Sequence, residues 1–145
     1  MADFILRPAA ERDFPPIRRL IHLVGINPTG LDWHRFVVAV NSSGSILGCG
    51  QLKPHNKDII ELASIAVEPA FRQHGIARAI IEHLIARAPR PLYLTCRSGL
   101  GPFYAKWGFR PLELNQMPGY YRRTARLAKV IGLVMNEGLL VMELM

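Results

Sequence analysis

The chain has 145 residues, half of them apolar, with 18 Lys plus Arg against 11 Asp plus Glu and a formal charge of +7. That length and apolar share fit one domain spanning residues 1–145, with a core that needs neither disulfide nor metal, and they exclude a disordered chain. Cys49 and Cys96 sit in strand-like runs without zinc-site spacing, Met1 to Pro8 lacks the layout of a signal peptide, and no apolar run nears the roughly 20 residues of a membrane span, so a metal-free, cytoplasmic protein with no membrane partner is expected.

Taken in order, Phe4 to Arg7 reads as a short strand, and Phe14, Ile17, Leu20, Ile21 and Val24 recur at helical spacing over Ala10 to Val24. Gly25 ends that helix, and Ile26 to Gly30 is turn chemistry, with Asn27 pushed out of helical geometry by Pro28. Arg35 to Val40 and Ser45 to Lys53 are β-rich runs joined by the hairpin-like turn Asn41-Ser42-Ser43-Gly44. Pro54 to Lys57 leads into an apolar run from Ile59 to Val67.

From Gly75, the row Ile76, Ile80, Leu84 and the adjacent row Ala77, Ile81, Ile85 predict a helix to about Ala88, stopped by Pro89 and Pro91. Leu92 to Cys96 reads as the next strand, and the helix between makes it a parallel neighbour of Ile59 to Val67. Leu100 to Trp107 predicts a short helix closed by Gly108, then Phe109 to Leu112 extended. A basic amphipathic helix over Tyr120 to Met135 and a final strand Leu139 to Leu144 complete an α/β pattern with a mixed sheet.

The positive charge suits anionic ligands. Nucleic acid is disfavoured, because the basic residues do not interleave with aromatics as a base-stacking platform requires, and Arg122, Arg123, Arg126 and Lys129 read as a solvated helix face. A more specific anion site is Arg72-Gln73-His74-Gly75-Ile76-Ala77, between a strand and a helix start. There the first helical N–H groups lack intrahelical partners and carry partial positive charge, which suits phosphates. About thirty residues on, Phe103-Tyr104-Ala105-Lys106-Trp107-Gly108-Phe109 supplies a phenol and a glycine-broken turn.

Together these segments resemble the GNAT superfamily of acyl-CoA-dependent N-acyltransferases. Its pattern Gln/Arg-x-x-Gly-x-Gly/Ala is matched by Arg72, Gly75 and Ala77, and Phe-Tyr-x-x-x-Gly-Phe by Phe103, Tyr104, Gly108 and Phe109. The resemblance extends over Phe4 to Leu144. It implies a mostly antiparallel mixed sheet of six to seven strands with a splayed parallel pair, flanked by about four helices. It also implies acetyl-CoA as co-substrate and no metal. Backbone groups of Ile65, Ala66 and Val67 would hold the pantetheine arm, the N–H groups from Gln73 through His74, Gly75 and Ile76 to Ala77 would hold the pyrophosphate, and Arg72 would add charge. The sequence departs from the family where an asparagine and a small residue are usual, carrying Arg97 and Leu100 instead. Arg97 therefore reads either as a contact to a phosphate or acidic substrate, or as a surface arginine.

The chemistry implied is transfer of acetyl to a primary amine of a small molecule or peptide by direct attack, through a tetrahedral intermediate. An alkyl ammonium with pKa near 10.4 is deprotonated in about one molecule in 2,500 at pH 7, so a base is needed. Glu61, eleven residues before Arg72, is the candidate; flanked by Ile60 and Leu62 it would lose solvation, and the competing readings are a solvent-facing or substrate-binding carboxylate. Tyr104 is the candidate acid for the departing thiolate, against a reading as a core aromatic; Phe103, Trp107 and Phe109 are assigned to packing. Cys96 is read as a small buried residue rather than a nucleophile. His74 is expected exposed, and His22, His34, His55 and His83 are expected at the surface without a paired acid. Gly25 to Trp33 and Glu113 to Tyr121 would border the acceptor. The alternative is a non-catalytic acyl-CoA-binding module, and a homodimer is compatible with either.

Overall fold

The computed structural model describes residues 3–130 and 138–145, and among them seven strands and four α-helices give the expected α/β class. Contacts divide the chain into two compact units, Met1–Pro89 and Arg90–Met145.

In the first unit, β1 (Ile5–Pro8), β2 (Phe36–Val40), β3 (Ile46–Asn56) and β4 (Ile59–Val67) pair antiparallel in sequence order. All five residues of β2 are buried, so its sequence FVVAV is continuously apolar rather than alternating. Helix α1 (Phe14–Val24) buries Ile17, Leu20 and Ile21 against Phe36, Val38, Val40, Cys49 and Ala66. Each such aliphatic side chain removed from water contributes about 1.5–3 kcal/mol. The helix ends where predicted, at Gly25, whose φ of +75° lets its N–H return to the carbonyls of Ile21 and His22.

Helix α2 (Ile76–Arg87) turns Ile76, Ile80, Ile81 and Leu84 inward. It packs onto β3 at Gly50, where a Cβ would come within 2.6 Å of Ile65 Cδ1 and 2.7 Å of Ile80 Cγ2. Only a residue without Cβ allows that approach. β3 also runs three residues beyond the predicted end at Lys53, passing through Pro54 with a register shift between Pro54 and Asn56. Proline cannot donate to the ladder, so the strand accommodates it at an irregularity instead of stopping. The side chain of Asn56 then accepts the Asp58 N–H at 2.8 Å and closes the hairpin into β4.

In the second unit, β7 (Leu139–Leu144) lies between β5 (Leu92–Arg97) and the two-residue β6 (Arg110–Pro111), antiparallel to both. Leu92, Leu94, Phe109, Leu112, Tyr121 and Met142 are buried. Helix α3 (Gly101–Ala105) is shorter than predicted at both ends, and Gly108 takes a φ of +95° to turn the chain into Phe109. Helix α4 starts at Gly119 and is described to Val130; the predicted continuation to Met135 lies outside the described residues.

Candidate active site

Strand β4 carries a defect at its centre. Cys49 faces Ala66 and Gln51 faces Ala63, so Ser64 and Ile65 together oppose Gly50 alone, which is a β-bulge. Ser64 takes a φ of +60°, rare for a residue with a side chain. Two neighbours hold it there: Cys49 Sγ donates to the Ser64 carbonyl at 3.5 Å, and Gln51 Nε2 donates to Ser64 Oγ at 2.9 Å. Burial pushes the Cys49 thiol up to about 12, so it remains a protonated donor.

Beyond the bulge, the Glu68 N–H donates to the Leu47 carbonyl at 2.8 Å. The period of two then turns the backbone groups of Ala66 toward β3, and those of Ile65 and Val67 away from it. Two of the three strand residues expected along a pantetheine arm are therefore oriented to offer hydrogen bonds on the side opposite β3.

After β4, a short 3-10 turn at Pro69–Phe71 leads to Arg72, which is exposed. Gln73 and Gly75 both take left-handed φ values, +66° and +81°, and swing the chain into α2. Gly75 is the helix N-cap and offers no side chain to the first-turn N–H groups, and that turn contains no acidic residue. Ile76 is buried and Ala77 half-buried, which fixes the start of the helix. Uncapped donors at the positive end of a twelve-residue helix, with no carboxylate to repel an anion, fit a pyrophosphate. His74 is half-buried rather than exposed as expected, with its ring 6.3 Å from that of Phe71.

Glu61 faces Lys53 across the β3–β4 ladder. Its Oε1 lies 2.8 Å from His55 Nε2, and each side chain is 12% exposed. This corrects the reading of His55 as a surface histidine without an acid partner. The extension of β3 past Pro54 carries His55 beside Glu61 across the hairpin. His34, too, has an acid partner, with Nδ1 2.7 Å from Asp32 Oδ1, although it is exposed as expected. His22 is exposed, and His83 is half-buried with its pKa lowered by burial and then by Arg87.

In the second unit, Tyr104 on α3 is half-buried, its ring edge-on to Phe103 at 5.1 Å and to Phe109 at 6.2 Å. Burial, with a smaller contribution from Cys96, pushes the phenol up to about 12. Cys96 is buried, its thiol raised by desolvation, with Sγ 4.0 Å from Met142 Sδ. Its burial is as expected, and a thiol whose pKa is raised is a weaker nucleophile. Arg97 closes β5 opposite Leu139 and is exposed.

Sequence reasoning missed Gln51, Ser64 and His55. Only His55 left a signal: it and Glu61 flank an Asn-Lys-Asp turn that pairs them once β3 is read through Pro54. A depression of about 790 Å³ in the first unit, lined by Arg7, Arg12, Arg19, Ser45, Glu68 and Phe71 among others, contains none of the predicted site residues. Among the described residues no group of three or more His, Cys, Asp or Glu is placed to hold a metal ion. Nor is any helix of the described residues long and apolar enough to cross a membrane.

The family profile described as acetyltransferase (GNAT) domain matches residues 32–111, more than half of the chain. The chain belongs to the GNAT acetyltransferase family. The described residues have the GNAT fold. An N-acetylglutamate synthase from Neisseria gonorrhoeae, solved with coenzyme A and N-acetyl-glutamate, superposes with a TM-score of 0.75 at 23% identity, covering 100% of this chain and 36% of that one. A Mycobacterium tuberculosis protein solved in complex with CoA gives a TM-score of 0.75 at 23% identity, over 97% of this chain and 99% of that one. By sequence, the amino-acid acetyltransferase of Mycobacterium tuberculosis is 35% identical over 75 residues, 48% of this chain and 41% of that protein. The GNAT chain thus spans less than half the length of the curated relative it matches.

Proposed function

We propose that the chain is an acetyl-CoA-dependent N-acetyltransferase whose acceptor is the primary amine of an amino acid. The observation that carries the donor half is the phosphate turn: Gln73 and Gly75 in left-handed geometry ahead of an uncapped α2 N-terminus, at the residues that match the family pattern. Support for the acceptor half comes from the relatives, an amino-acid acetyltransferase and a synthase solved with N-acetyl-glutamate. An acidic amino acid is accordingly the first acceptor to try.

In this reading the N–H groups from Gln73 to Ala77 receive the pyrophosphate, Arg72 adds charge, and the backbone of Ile65 and Val67 lines the pantetheine arm, with Ala66 supporting them from the β3 side. Arg97 offers a guanidinium to a phosphate or to an acidic acceptor. Glu61 takes the proton that an ammonium must lose before its nitrogen can attack the thioester carbon. The C–N bond forms, the tetrahedral intermediate collapses with loss of the C–S bond, the nitrogen's second proton passes to the departing sulfur, and Tyr104 serves that sulfur as hydrogen-bond donor.

The test is a thiol-release assay with acetyl-CoA and a panel of amino acids, small amines and peptide N-termini. Turnover with an amino acid supports the proposal. If acetyl-CoA raises the melting temperature but no amine is turned over, the chain is an acyl-CoA-binding module instead.

A further inference from the structure

We infer that His55 is a positioning residue for Glu61, an inference that rests on the base role proposed above. The two side chains come from adjacent antiparallel strands, their contact is 2.8 Å, and each is 12% exposed. That contact engages one carboxylate oxygen, Oε1. A glutamate has three rotatable side-chain bonds, and its terminal torsion is broad. With Nε2–H donated to Oε1, the carboxyl plane is set and Oε2 is presented in one direction. The same logic operates wherever a third group orients a base.

A carboxylate only accepts, so Nε2 carries a proton in this contact. Lys53 faces Glu61 in the ladder, but its Nζ is 3.0 Å from the Thr29 carbonyl, which directs its charge to the loop before β2. The imidazole contact at 2.8 Å is what orients Oε1 of Glu61. During transfer the acceptor ammonium gives its proton to Oε2, and after release of product Glu61 returns it to water.

The experiment uses the full chain, acetyl-CoA and the amine turned over in the panel. His55→Leu removes the donor, whereas His55→Gln places an amide N–H near the Nε2 position. Expected are a fall in kcat/KM for the amine of about tenfold or more in His55→Leu, recovery of most of it in His55→Gln, and a coenzyme A affinity by calorimetry within about twofold of wild type in both. Because His55 acts through Glu61, the double variant His55→Leu/Glu61→Gln should be no slower than Glu61→Gln alone. Independently of activity, long-range ¹H–¹⁵N spectra should show a protonated, slowly exchanging Nε2 of His55 in the wild type and its exchange broadening in Glu61→Gln. Wild-type kcat/KM in His55→Leu with a slow Glu61→Gln would overturn the inference and leave the base role standing. Wild-type rates in Glu61→Gln would remove the base role and the inference with it, as losses that simply add in the double variant would overturn the inference alone.

Discussion

Gln51 Nε2 donates to Ser64 Oγ at 2.9 Å, so a fully buried amide holds the residue on which the β4 bulge turns. The same amide group donates to the Gly30 carbonyl at 3.3 Å, and Gln51 Oε1 accepts from Arg35 Nε at 3.2 Å. Gln51→Leu keeps the volume but leaves Ser64, Gly30 and Arg35 without their buried partner. The expected loss is about 1–3 kcal/mol, read as a lower urea midpoint with unchanged m-value. A midpoint equal to wild type would show that water replaces the amide.

Gly48 packs beneath the start of α2. A Cβ there would lie 2.8 Å from Ile76 Cγ2 and 3.1 Å from the Ala66 carbonyl oxygen. Ile76 is the first residue of α2, so Gly48→Ala must displace the helix start, at a cost of about 1–3 kcal/mol for overpacking. Coenzyme A affinity should fall about three- to tenfold along with stability, since a 1 kcal/mol misfit of the donors is about fivefold. Gly99→Ala, with nothing within 4 Å of its Cβ, serves as the control and should change neither.

The contrast between Gly75 and Gln51 shows where sequence suffices. The rows Ile76, Ile80, Leu84 and the Gly75 turn were legible because a helix face and a left-handed cap are local matters with a fixed period. So were the Asn41 to Gly44 hairpin and the cap at Gly25. The bulge at Ser64 was not, because nothing in IIELASIAV marks which residue is extra; a buried glutamine on the neighbouring strand decides it. His55 was misread for the same reason. Its partner is six residues away along the chain, and their meeting depends on β3 tolerating Pro54. The far end of α3 was overestimated because its last turn tightens: the Trp107 N–H donates to the Tyr104 carbonyl, three residues back, at 3.1 Å, while Phe103 and Trp107 still meet edge-on at 5.1 Å.

Gln73 offers a stability gain at a known place. Its φ of +66° disfavours a side chain, and the residue is exposed. Replacing a left-handed non-glycine residue by glycine relieves about 1 kcal/mol of strain, offset in part by the greater freedom of glycine in the unfolded chain. Gln73→Gly is expected to leave or raise the melting temperature slightly while retaining coenzyme A binding, because the pyrophosphate contact proposed here uses the backbone N–H. Loss of binding would mean that the glutamine side chain itself is needed.

Asp13 ties stability to pH. Its carboxylate accepts from Arg7 Nη1 at 2.7 Å and Nη2 at 3.1 Å and from the Ala10 N–H at 2.7 Å, and the Arg7 hydrogen bonds, more than any other cause, hold its pKa below 3.8. A carboxyl depressed in the folded state binds its proton more readily when unfolded. Its contribution is therefore complete above about pH 4 and is lost as pH falls toward the lowered folded value. Asp13→Asn should cost about 1–3 kcal/mol at pH 7 and should show a flatter decline of melting temperature below pH 4 than the wild type. Parallel declines in the two proteins would assign the acid sensitivity to other carboxylates.

Tyr104 yields a prediction about both rate and pH. A phenol pushed up to about 12 holds its proton more tightly than an ordinary thiol, whose pKa is about 8.5. Complete transfer to the departing thiolate is then uphill, and the residue acts mainly by donating a hydrogen bond to sulfur as the C–S bond lengthens. A hydrogen bond to a charged group is worth about 1.5–3 kcal/mol, which corresponds to about a 10- to 150-fold fall in kcat for Tyr104→Phe. Affinity for coenzyme A should stay within about twofold, because the bond forms only as charge develops. The sign of the pH effect follows from the raised pKa: the donor is present at every pH below about 12, so ionisation of Tyr104 contributes no alkaline fall in kcat up to pH 10. A wild-type alkaline limb near pH 9 that disappears in Tyr104→Phe would show that the phenol titrates in that range and transfers its proton outright.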